Sequence, residues 1–93
     1  MSETGMSETR ETRLKRLKIR SWRRGTREMD MLLGPYADGP LHGLDEPALA
    51  AYEALLNEND VDLYAWISGA RPTASEHAEA LGRVAAFHGI APR

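Results

Sequence analysis

The stretch "RRGTREMD", Arg23 to Asp30, gathers a guanidinium, a carboxylate and a glycine within five residues. Arg24 carries a planar fork of donors that matches a carboxylate, Glu28 supplies an acceptor, and Gly25 between them leaves the backbone open to close approach. Such a group suits docking to another protein. It also suits a plain helix corner: Arg23 and Arg24 complement the negative end of one helix, Gly25 turns the chain at positive φ, and Glu28 lies in the first turn of the next helix. Residue types alone leave both readings open. They differ in what substitution does, because a purely docking corner predicts that Arg24→Ala and Glu28→Ala keep helicity and thermal unfolding intact.

Other chemistries find less support. The chain has no cysteine, so it has neither a disulfide framework nor a thiolate nucleophile, and His42, His77 and His88 show no ligand spacing along the sequence. The acids Glu58, Asp60 and Asp62 lack the glycine and terminal glutamate of a calcium loop and read as a helix entry. No glycine-rich phosphate loop or nucleophile–base constellation occurs, so a free-standing enzyme is not expected and no catalytic or metal-binding residue is assigned. Trp66 shares a stripe with Leu63 and Ile67 and is expected in the core ahead of any ligand-stacking role. Trp22 is expected in the core as well, with partial exposure beside the corner as the alternative.

The net charge of -2 conceals a division. Residues 1–27 hold nine of the twelve Lys/Arg against three acids, for +6, and the remainder carries eleven acids against three bases, for -8. Either a partner presents an acidic face, or the basic element lies across the acidic body of the same chain. The run "RLKRLKIRSWRRGTR" also admits a small nucleic-acid-binding helical module as the alternative function, although the acidic body opposes a polyanion.

The elements that position these residues read as helices throughout, because apolar positions recur at helical spacing and no segment alternates. A first helix is predicted from about Thr9 to Arg23, with Leu14, Leu17 and Ser21 on one stripe. A second, from about Thr26 to Ala37, carries Met29, Leu32, Leu33 and Tyr36, with Gly34-Pro35 able to kink or shorten it. Asp45 caps a third helix with Pro47 in its first turn and a Leu44–Leu49 staple. Asp60 opens a short fourth, closed by Gly69, which turns Leu63, Trp66 and Ile67 inward. Thr73 and Glu76 offer a capping box for a fifth helix bearing Leu81, Val84 and either Ala85 or Phe87, closed by Gly89.

The expected fold is therefore all-α, a compact bundle of about five short helices. The chain of 93 residues divides into a disordered tail at 1–9, one helical domain at 10–89 and a C-terminal tail at 90–93. No run reaches the length of a membrane span and no signal-peptide segment is evident, so membrane insertion is not expected.

Three features together carry a resemblance: Arg24-Gly25-x-x-Glu28, the following Met29-Asp30 with its apolar run, and the downstream "YEALLNENDVDLYAWISG". In a chain of this size that order resembles the small succinate dehydrogenase flavinylation (assembly) factors, over roughly residues 13–88. The resemblance implies an assembly factor that binds the flavoprotein subunit of succinate dehydrogenase and promotes covalent attachment of FAD to a histidine of that client. The fumarate reductase flavoprotein is a candidate second client. It further implies that Arg24, Gly25 and Glu28, with Asp30 as a weaker carry-over, contribute to the client interface. Glu28 is read as an interface acceptor ahead of a proton acceptor. FAD is the client's cofactor, none is expected to bind this chain stably, and the free protein is expected to be a monomer. The "MSETGMSET" tail and the "DGPLHG" connection are peculiar to this chain, and the missing transit peptide points to a bacterial cytoplasm in place of a mitochondrial matrix.

Overall fold

The computed structural model of the chain describes residues 8–90. The tails expected at 1–9 and 90–93 fall largely outside that range. Five α-helices follow one another, α1 (Arg10–Trp22), α2 (Arg27–Asp38), α3 (Glu46–Leu56), α4 (Asp60–Ile67) and α5 (Ala78–Phe87), and no strand occurs among the described residues. The all-α expectation holds. A 3-10 turn, Pro40–Gly43, joins α2 to α3, and a second, Ser75–His77, leads into α5.

Local signals set most boundaries. The side chains of Thr9, Thr26, Asp45 and Asn59 accept from backbone N–H groups three residues on, satisfying donors that the first turn of a helix leaves unpaired. Gly25, Gly69 and Gly89 take the positive φ expected where helices end, at 113°, 84° and 72°. Helix α2 runs through Pro35 to Asp38, one residue past the expected end at Ala37, and the carbonyl that loses its donor belongs to Met31, on the exposed side of the helix. The start of α5 needs correction. The Thr73–Glu76 capping box does not form: no side chain caps α5, which starts from the 3-10 turn. That turn is set by His77, which is buried with its Nε2 2.9 Å from Glu58 Oε2 and its ring beside Trp66, so a tertiary contact prevails over a local cap.

The core gathers one stripe from every helix: Leu17, Met29, Leu33, Tyr36, Leu49, Tyr52, Leu55, Leu63, Leu81 and Val84 are almost wholly buried. Ile67 joins them, whereas Trp66 is only half-buried against the cluster. Its ring flanks His77 and does not anchor the centre. Burying such residues stabilises a domain by roughly 1.5–3 kcal/mol each. Helix α1 packs on α2 through a close approach, because the Trp22 ring lies where a Cβ on Gly34 would sit, 2.3 Å from that position. Its Nε1 donates to Asp38 Oδ1 at 3.0 Å, so Trp22 stays half-buried with its polar edge satisfied. Between α1, α2 and α3, the hydroxyls of Ser21 and Tyr52 lie 2.7 Å apart and Ser21 Oγ donates to the Leu17 carbonyl, which gives both buried hydroxyls partners. Burial pushes the Tyr52 phenol well above its ordinary pKa, so it stays protonated.

The charge division is resolved inside the molecule. Arg10 and Arg13 reach Glu46 at 2.8 and 2.9 Å, and Arg13 and Arg16 share Glu53 at 3.0 and 2.9 Å. Arg20 donates to Asn57 at 3.0 Å, and Lys18 approaches Asp38 at 3.3 Å. The basic α1 thus lies across the acidic edge of α3. A nucleic-acid module would need those guanidinium groups free for phosphates, and here most face carboxylates.

Candidate functional site

The corner between α1 and α2 is built by two of the four residues singled out there. The Arg24 backbone N–H donates to Asp30 Oδ1 at 2.7 Å, which ties the turn down onto the first turn of α2. The Arg24 side chain runs the other way, to the junction of α3 and α4. Its Nε donates to Asp60 Oδ1 at 2.9 Å, one terminal nitrogen to the Leu56 carbonyl at 2.7 Å and the other to the Glu58 carbonyl at 2.5 Å. Those two carbonyls belong to the end of α3 and the link beyond it, where helix geometry supplies no donor.

The Arg24 fork is engaged inside the molecule. Its side chain is 10% exposed and its donors face inward, so its removal would strand their acceptors. Arg24 fixes where the corner sits relative to α4. Gly25 does what its position requires: φ is 113°, and a Cβ there would stand 3.5 Å from Asp60 Oδ2. Its surface remains exposed.

Glu28 is the residue that faces outward. It is exposed in the first turn of α2, with no side-chain hydrogen bond or ion pair among the described residues. Beside it opens a hollow of about 370 Å³ lined by Thr26, Glu28 and Met29 from the corner and Asp60, Val61 and Tyr64 from α4. Val61 is 77% exposed and Tyr64 55%. Neither drew attention in the sequence, because α4 carries apolar residues on most of its circumference and only packing decides which of them stay outside. The four expected residues thus come together as one corner, with Arg24 and Asp30 as its fasteners and Gly25 and Glu28 as its surface.

The acids near α4 have separate duties. Asp60 takes Arg24, and Asp62 takes Arg71 at 2.5 Å, whose hydrogen bond holds the Asp62 carboxyl below its usual pKa. Glu58 takes His77. Glu58, Glu76 and His77 are the described residues that could offer three metal-ligating atoms, within 4.8 Å of one another. That grouping was invisible to spacing along the chain because Glu58 and His77 lie in different elements. The hydrogen bond from imidazole to carboxylate already accounts for their approach.

Comparisons with known proteins bear on this arrangement. A family model described as flavinator of succinate dehydrogenase matches residues 15–88. Succinate dehydrogenase assembly factor 2, mitochondrial, of Mycosarcoma maydis is 38% identical over 66 residues, 71% of this chain and 28% of the relative. Its namesake in Meyerozyma guilliermondii is 44% identical over 59 residues, 63% of this chain and 44% of the relative. Succinate dehydrogenase assembly factor 2-A, mitochondrial, of Drosophila yakuba is 34% identical over 84 residues, 88% of this chain and 52% of the relative. The chain spans about half or less of the length of these curated relatives. No solved structure matches it.

The expectation of a bacterial cytoplasmic protein is corrected by these relatives, all of which are named as mitochondrial. It rested on a missing transit peptide, and a chain that spans only part of its relatives gives that observation no weight. With four-fifths of its length inside the family model, the chain belongs to the family of succinate dehydrogenase flavinators.

Proposed function

We propose that this chain is an assembly factor for the flavoprotein subunit of succinate dehydrogenase and that it promotes covalent attachment of FAD within that subunit without being the catalyst. Membership of the flavinator family over residues 15–88 carries this reading. FAD belongs to the client, and bond formation to the client histidine uses groups of the client. The factor contributes orientation: it holds the client's flavin-binding and capping regions in the arrangement that aligns the histidine, which can account for large rate effects without new chemistry.

The docking surface in this reading is the corner, with Gly25 and Glu28 touching the client and Arg24 and Asp30 holding that surface in place. An exposed carboxylate without a side-chain partner among the described residues, in the first turn of a helix whose preceding corner is tied down through Arg24, supports this assignment. Glu28 acts as an acceptor toward the client. The fumarate reductase flavoprotein is a second client of the same surface, and the free factor is a monomer.

The test is a deletion strain carrying plasmid copies of the gene, with covalent flavin on the succinate dehydrogenase flavoprotein read by in-gel fluorescence. Deletion lowers the signal, the parent gene restores it, and Glu28→Ala does not, although the variant folds. Normal flavinylation in the deletion strain, with no substitute factor present, removes the proposal. Comparison of Glu28→Gln with Glu28→Ala reports whether the contact is charged: loss in both marks a charged contact, and loss in alanine alone a neutral one.

A further inference from the structure

The hollow beside Glu28 has a particular chemistry. Its walls are apolar where Met29, Val61 and the Tyr64 ring face it, and the two lining residues that carry charge at neutral pH, Glu28 and Asp60, are both acidic. Asp60 is already matched by Arg24 at 2.9 Å. Glu28 is not matched among the described residues, so one negative charge stands uncompensated at the rim of an apolar hollow. Val61 and Tyr64 belong to α4, whose position relative to the corner is set by the Arg24 bridge. The hollow is therefore a joint product of two elements held in register.

We infer that this hollow seats an arginine side chain of the flavoprotein client, with its guanidinium on Glu28 and its stem and planar face against Val61 and Tyr64. The inference rests on the proposed docking role of the corner and names what the corner grips. Arginine fits both halves of the surface. Its fork meets a carboxylate with two parallel hydrogen bonds, its plane stacks on an aromatic ring, and its three methylenes cover apolar surface while the charge stays at the rim. A wholly apolar occupant would leave the Glu28 carboxylate partly desolvated without a partner. An acidic one would meet like charge.

Binding to the purified flavoprotein subunit tests this, with Val61→Ser, Tyr64→Ala, Tyr64→Phe, Glu28→Ala and the Glu28→Ala/Tyr64→Ala double variant. Both α4 side chains project into solvent, so helicity and thermal unfolding should match the parent, and these serve as controls. Tyr64→Ala should weaken binding about 10-fold or more and Val61→Ser less, while Tyr64→Phe, which keeps the ring face, should stay within about threefold. The double variant should lose less than the product of the single losses, because both residues act on one cation. Parent-like binding by Tyr64→Ala and Val61→Ser, with Glu28→Ala impaired, overturns the seat and leaves the corner reading standing. Parent-like binding by every variant overturns both. Sedimentation of the isolated chain covers the remaining occupant: a dimer that Tyr64→Ala dissociates would assign the hollow to a second copy and overturn the inference.

Discussion

Arginines hold this molecule together in two places and by different physics. Along the face between α1 and α3, Arg10, Arg13 and Arg16 share Glu46 and Glu53 in pairs that run from open to water at Glu46, 64% exposed, to partly covered at Glu53, 28% exposed. At the corner, Arg24 alone meets Asp60 and two carbonyl oxygens in a site where its side chain is 10% exposed. An exposed pair contributes between nothing and about 1 kcal/mol, because water and salt screen it. A nearly buried cation gains more from each partner and leaves those partners stranded when it is removed. Counting ion pairs would rank the first face above the corner, and burial reverses that order.

The largest effect should follow from Arg24→Ala, which strands Asp60 and the Leu56 and Glu58 carbonyls. A loss of about 2–4 kcal/mol in urea unfolding followed by circular dichroism is expected. A loss no greater than that of Arg10→Ala would break the comparison. Client binding should fall with it, because the corner and α4 lose their common register.

Next comes Asp30→Ala, which removes the acceptor of the Arg24 backbone N–H. Its cost should be about 1–2 kcal/mol, in the range for a capping side chain. Asp30→Asn, which keeps an oxygen in place, should recover most of that loss in the same unfolding measurement.

Acid sharpens the contrast from the other side. Burial disfavours ionisation of Glu53, but hydrogen bonds from Arg16 and Arg13 outweigh it and hold its carboxyl below the ordinary value of 4.5. A hydrogen bond from Trp22 does the same for Asp38, aided by Lys18. A carboxyl lowered in the folded state contributes stability above its unfolded pKa and loses it as pH falls through the folded value. Stability should therefore be flat near neutrality and decline below about pH 4.5, with Glu53→Gln showing a shallower decline. Added salt should weaken the α1–α3 face while leaving the increment due to Arg24 nearly unchanged.

The smallest effect on stability should come from Glu28→Ala, within about 0.3–1 kcal/mol for a first-turn acid. Its effect on client binding should be the largest relative to its effect on stability. A folded Glu28→Ala variant that binds and supports flavinylation like the parent would show the corner to be only a corner.

Much of this was legible in the chain. Helical periodicity placed five helices, and Asp45, Gly25, Gly69 and Gly89 marked ends that the structure keeps, because caps and positive-φ turns are decided within a few residues. The four corner residues could be picked out by type and order. Their division of labour could not, since whether Arg24 faces solvent or the end of α3 depends on how α4 is docked, more than thirty residues away. The failed Thr73–Glu76 box has the same cause, with Glu58 reaching His77 from another element.

What the sequence determined by itself is what short-range chemistry determines: the helices, their inward stripes, their caps, and the presence of a basic segment with an acidic counterpart. Only the tertiary structure decided where the charges went. It matched α1 to α3 within the chain, turned Arg24 into an internal tie, left Glu28 exposed, and opened the hollow between the corner and α4. The physical reason lies in reach. A backbone turn is fixed by dihedral angles and neighbours, whereas the worth of a charge is set by water exclusion and by partners that only packing brings within 3 Å.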